Sequence, residues 1–131
     1  DMRTTTSGSY VYRVTNTLNN YKPSYVPTYT YIGTWEGNML NNMIVSLAGN
    51  SSPVIAHVDL NYLPYKTTTF RSGHYLVIDD VTLEDWNPDA SWYNINDPVN
   101  VAAMNGNHMV TPDELLTAMN SGYGSGYYIC N

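Results

Sequence analysis

The sequence predicts an α+β domain, an antiparallel sheet with helices packed on one side of it. Three observations predict it. Two early segments carry apolar residues at helical spacing. Two later runs of β-branched and aromatic residues flank a polar turn. A helix with its own start signal then precedes a final apolar run. No repeat, linker or charge block divides the 131 residues, so 1–131 reads as a single domain large enough for a core.

The elements follow in order. In SYVYRVTNTLNNY, Val11, Val14 and Leu18 stand at helical spacing, which predicts a helix from about Ser9 to Asn20 with Ser7 or Ser9 as its N-cap. KPSYVPTYTYIG follows. Its prolines exclude a helix, and Tyr25, Tyr29 and Tyr31 suggest an extended surface segment. TWEGNMLNNMIVSLAGN predicts a second helix with Thr34 as N-cap. Trp35, Met39, Met43 and Leu47 form one row, Leu40 and Ile44 widen it, and Gly49 and Asn50 end it. In SSPVIAHVDL, Val54, Ala56 and Val58 alternate with Ile55, His57 and Asp59. Both faces are partly apolar, so the strand belongs at the centre of a sheet or beneath a cover. NYLPYKTTTFRSG reads as a loop that leads into His74 and forms one wall of a cleft.

HYLVIDDV and SWYNIND read as strands of a hairpin, with turn residues in DWNPDA between them. VNVAAMNGNHM predicts a short strand or coil with a turn at Asn105–Gly106, and His108 reads as a surface residue. TPDELLTAMNSG has the strongest local signal. Thr111 is the N-cap, Pro112 occupies the first helical position and Glu114 completes a capping box, with Leu115, Leu116 and Met119 on the buried side. YYIC predicts a last strand.

The hairpin holds the candidate chemistry. Pairing His74 with Asp97 sets Leu76 opposite Ile95 and Ile78 opposite Tyr93, which keeps the apolar side chains on one face. An imidazole and a carboxylate then share the end of that face. Directly opposed Cβ atoms lie about 5 Å apart, within reach of a hydrogen bond. A histidine held by a carboxylate is the base-and-orienter half of a nucleophilic triad. The plainer alternative is a structural pair at the rim of a hairpin.

Composition bounds the function. Only 12% of residues are charged, against 43% hydrophobic, and 13 tyrosines with many Thr, Asn and Ser supply the polarity. Such a surface suits a secreted, extracellular protein. The net charge of −6 and five dispersed Lys and Arg residues argue against nucleic acid as a partner. No apolar run approaches the ~20 residues of a membrane span. Cys130 is the sole cysteine, so no disulfide closes within the chain, and a buried thiol is expected. Asp85, Asn87 and Asp89 have the alternate spacing of a calcium loop, but Pro88, Ala90 and Asn96 stand where that loop needs other residues. His57, Asp59, His74, Asp97 and His108 are ligand types without an assignable third partner, so no metal and no other cofactor is assigned.

The run MRTTTSGSYVYRVTNTLN, then SPVIAHV, GHYLVIDDV, NDP, VTPDELLTAM and GYYI, resembles the double-glycine-peptidase-like, bacteriocin-processing type of cysteine peptidase in the papain-like superfamily. The resemblance covers nearly the whole chain and rests on the order of its pieces. It implies a papain-like α+β fold and hydrolysis of peptide bonds. It matches His74 of GHY to the catalytic base and Asp97 of NDP to the acid that orients it. It implies a peptide substrate and no cofactor. The family's nucleophilic cysteine and oxyanion-hole glutamine precede the threonine-rich stretch, so MRTTTSG corresponds to the middle of such a domain. A small N-terminal chain of the same precursor is then expected to carry the cysteine, and Cys130 is not the nucleophile. The alternative is an inactive papain-like pseudo-enzyme acting as a secreted binding or structural module. IDDV also departs from the glycine-containing turn that follows the HY strand in that family.

Overall fold

The computed structural model describes residues 11–33, 39–84 and 87–130, with backbone alone at 87–90. The sequence-predicted caps at Ser7, Ser9 and Thr34, together with Trp35 and Asp85, lie outside the described residues. The protein is a mixed helical and antiparallel structure, as expected for α+β. Among the described residues, six strands form one sheet: β1 (Tyr29–Gly33), β2 (Val54–Val58), β3 (His74–Glu84), β4 (Asn87–Asp97), β5 (Gly106–Val110) and β6 (Gly126–Cys130). Their order across the sheet is β1-β6-β2-β3-β4-β5, with every neighbouring pair antiparallel.

Among the described residues, three α-helices accompany the sheet: α1 (Val11–Tyr21), α2 (Met39–Ile44) and α3 (Pro112–Asn120). A π-helical turn, Val45–Gly49, extends α2 and closes with Asn50 N–H donating to Val45 O at 2.9 Å. Thus Gly49 and Asn50 end this helix as the sequence suggests. At α3 the capping box is present in full. Glu114 N–H donates to Thr111 Oγ1 at 3.3 Å, and Thr111 N–H donates to Glu114 Oε1 at 2.9 Å.

The main core lies on one face of the sheet. Met39, Met43 and Leu47 from the α2 segment and Leu115, Ala118 and Met119 from α3 pack there with Val54, Ala56, Val58, Leu76, Ile78, Ile95, Tyr127 and Ile129. These are the alternate, inward positions of each strand. A smaller cluster joins Val14 of α1 to Tyr29, Tyr128 and Cys130. Because Tyr128 and Cys130 alternate with Tyr127 and Ile129, α1 covers the opposite face. Helices therefore flank both faces, whereas the sequence pattern suggested one side.

One other expectation changes. Tyr29, read as part of a surface segment, is buried, because β1 joins the sheet and its hydroxyl donates to Pro53 O at 2.9 Å. Tyr25 of the same stretch is 85% exposed. β2 lies between β6 and β3, the central place its apolar faces predict. Among the described residues, no helix is long and apolar enough to cross a membrane.

Candidate active site

Strand β3 begins at His74 and β4 ends at Asp97, so their side chains meet at one end of the sheet. The register differs from the expected one. Val77 is opposite Asn96 and Ile78 is opposite Ile95, a shift of two residues. A shift of two keeps every side chain on its face. The core set survives, and His74 reaches Asp97 along a diagonal rather than straight across. Beyond Ile78 a β-bulge at Asp79 advances the register by one, so Val81, not Ile78, faces Tyr93. The bulge is what IDDV does here. Asp79 is the extra residue, and both aspartates stay exposed while the flanking Ile78 and Tyr93 remain buried.

His74 Nε2–H donates to Asp97 Oδ1 at 2.7 Å. The Asp97 side chain is fully buried, and that of His74 is 24% exposed. Asp97 receives two further bonds: Val99 N–H donates to Oδ1 at 2.9 Å, and Tyr65 Oη–H donates to Oδ2 at 2.7 Å. Burial pushes the Asp97 carboxyl up, but the bonds from His74, Tyr65 and Val99 outweigh it and hold the group below its ordinary value. Asp97 is therefore an anion in a dry site, the state needed to orient and stabilise an imidazolium. Nδ1 of His74 has no hydrogen-bond partner among the described residues.

The sequence reading missed Tyr65. It comes from the connection between β2 and β3, which is closed at its root. Asn61 pairs its side-chain amide with both Phe70 N–H and Phe70 C=O at 2.9 Å, and Asp59 Oδ1 accepts Asn61 N–H at 2.9 Å. The connection turns Leu63, Tyr65 and Phe70 toward the core, and of these Tyr65 reaches Asp97. Burial, then contact with Asp97, raises the Tyr65 phenol far above its ordinary value, so it remains a donor. The alternation of polar and apolar residues carried no signal for it, because the loop has no regular period. His108, read as a surface residue, is half-buried. Its ring stacks on Tyr65 with centroids 3.7 Å apart and planes 5° apart.

His57 occupies the same end of the sheet on the α1 side. It is opposite Tyr75, lies edge-on to that ring at 4.7 Å, and its Nδ1 is 2.8 Å from Ser125 Oγ. Desolvation, then the nearby His74, lowers its pKa. Gly73 makes room for this ring: a Cβ there would lie 2.2 Å from His57 Cε1. Asp59 is turned away, receiving Asn61 and Tyr123 N–H groups. Among the described residues, no group of three His, Cys, Asp or Glu is placed to hold a metal ion. The calcium-like spacing at Asp85, Asn87 and Asp89 has no described side chains.

Cys130 is buried near the other end of the sheet. Its thiol donates to Pro27 O at 3.3 Å, and β6 runs from Gly126, opposite His57, away from the His74 end. No protein-family model, characterised protein or solved structure matches the chain.

Proposed function

We propose that this chain is the histidine- and aspartate-bearing part of a papain-like cysteine peptidase domain, secreted, that cleaves peptide bonds. The observation that carries the reading is the 2.7 Å bond from His74 to a fully buried Asp97, beside an imidazole Nδ1 left available. In this reading a cysteine from a polypeptide segment outside these 131 residues, such as a small N-terminal chain of the same precursor, supplies the nucleophile. Cys130 is unsuited to it because its thiol is buried against Pro27.

With that thiol against Nδ1, His74 takes the thiol proton and the thiolate attacks the peptide carbonyl. The C–N bond breaks as the imidazolium protonates the departing amine. Water then hydrolyses the thioester, with His74 as its base. Asp97 keeps the ring in the tautomer that frees Nδ1 and stabilises its charged form. The chemistry needs no cofactor.

A second reading, an inactive papain-like binding module, is favoured by one observation: the chain's sole cysteine is out of reach of His74. Intact mass measurement of the native protein under non-reducing, non-denaturing conditions separates the two. A companion chain bearing cysteine, with peptide hydrolysis stopped by iodoacetamide and by His74→Ala, supports the peptidase. A lone chain without thiol-sensitive activity supports the module. Hydrolysis that survives His74→Ala removes His74 from the mechanism.

A further inference from the structure

The carboxylate of Asp97 divides its bonds unequally. Oδ1 accepts both His74 Nε2–H and Val99 N–H, while Oδ2 accepts the Tyr65 hydroxyl alone. Val99 already ties Oδ1 to the backbone. Tyr65 adds a donor on the oxygen turned away from the imidazole. Its ring is held in turn, lying parallel to His108, whose Nε2–H donates to Met104 O at 2.5 Å. The loop behind it is fastened by the Asn61–Phe70 amide pairing. A side chain anchored at ring, hydroxyl and loop root is placed by the fold rather than by chance contact.

We propose that Tyr65 is a positioning residue for His74, acting through Asp97, and that His108 sets the plane of its ring. The proposal rests on the reading of His74 and Asp97 as base and orienter. The hydroxyl occupies Oδ2, which is otherwise a buried anionic oxygen without a partner. It thereby keeps the carboxyl ionised and leaves Oδ1 to the imidazole. It also draws negative charge toward Oδ2, which moderates the bond to His74. The ionisable groups arranged about this bond are Asp97 from β4, Tyr65 from the loop, His108 from β5 behind Tyr65, and His57 from β2 beside His74. Asp59 is engaged by Asn61 and Tyr123.

Tyr65→Phe tests this, because it keeps the stacked ring and removes only the hydroxyl. The chain has three histidines, so single-histidine variants assign every imidazole signal by NMR. In Tyr65→Phe the Asp97 carboxyl signal titrates at higher pH, and the His74 Nε2–H proton moves downfield as Oδ1 becomes the stronger acceptor. His108→Ala, which touches neither Asp97 nor His74, moves both signals in the same direction by less. Both signals unmoved in a folded Tyr65→Phe protein overturn the proposal, as does a downfield shift in His108→Ala without one in Tyr65→Phe. These readouts need no activity. A peptidase reading that fails on His74→Ala therefore fails separately from this one.

Discussion

His74 and Asp97 bond at 2.7 Å although they are not paired across the hairpin. With Ile78 opposite Ile95, Asp97 falls level with Leu76, and the imidazole spans the diagonal. Diagonal neighbours on one face are about 7–8 Å apart at Cα, a gap that a histidine ring and an aspartate together close. The bond thus depends on face, and on register only to within two residues.

Removing the carboxylate is expected to be costly. Asp97→Ala leaves the Tyr65 hydroxyl, Val99 N–H and His74 N–H without their shared acceptor. A loss of about 3 kcal/mol is expected, near the lower end for breaking a buried charge pair, because His74 is partly exposed. Urea unfolding of the variant measures it. A loss below about 1 kcal/mol shows that the network contributes little to the fold.

The same carboxylate gives the protein an acid limit. Its folded pKa lies below the ordinary value, so its stabilising contribution is complete above about pH 4. That contribution is lost as pH falls from there through the lower folded value. His57 acts in a higher window. Its folded pKa is also lowered, so the unfolded chain takes up the proton first, and stability falls as pH drops below about 6.5. His57→Gln is expected to flatten the stability profile just below pH 6.5 and leave the more acidic limb in place. Asp97→Asn is expected to do the reverse. Denaturation midpoints at several pH values distinguish them.

What the sequence made legible was local. The Thr111–Glu114 box needs four residues and was present in full. The alternation in β3 named its buried face, and the two partly apolar faces of β2 gave its central place, since tertiary burial follows strand period. Long-range facts were not legible. Nothing in YYIC marks β6 as a strand paired on both sides, with all five residues buried. Nothing in DD says which aspartate bulges, because the bulge exists only against β4. Tyr65 and His108 are 43 positions apart and meet only when a loop folds over β5.

Gly73 is expected to be the residue before His74 least tolerant of change. A methyl group there meets the His57 ring and lies 2.8 Å from the Tyr123 carbonyl oxygen. The Tyr123 backbone carbonyl cannot give way as a side chain would, so Gly73→Ala pushes the start of β3 away from the 121–125 turn. The variant is expected to lose about 1–3 kcal/mol, the usual cost of overpacking. It should also disturb the His57 NMR signals more than those of His108. Equal disturbance of both imidazoles contradicts a local clash.

At α3, Thr111→Ala removes the acceptor for Glu114 N–H and leaves the reciprocal bond from Thr111 N–H to Glu114 intact. The expected cost is about 1 kcal/mol. Thr111→Ser should restore most of it, since the hydroxyl rather than the methyl makes the cap. Thermal unfolding of the two variants provides the comparison.

Cys130 separates structural from chemical roles for a thiol in this chain. It is fully buried, its Sγ–H donates to Pro27 O, and its backbone N–H donates to Ser46 Oγ. A reagent such as a disulfide dye needs an exposed thiolate, so native protein is expected to react only at the rate at which β6 is exposed by unfolding. Urea should raise the labelling rate in step with loss of structure. Cys130→Ala shortens a packed side chain and is expected to lower stability by about 1 kcal/mol or more through the small cavity left between α1 and the sheet. If the protein with its companion segment hydrolyses peptides, the same variant should do so at the wild-type rate, because the thiol at the far end of β6 takes no part. A Cys130→Ala protein that folds but loses that hydrolysis would place the nucleophile in this chain after all, and with it a sheet arrangement different from the one that buries Cys130.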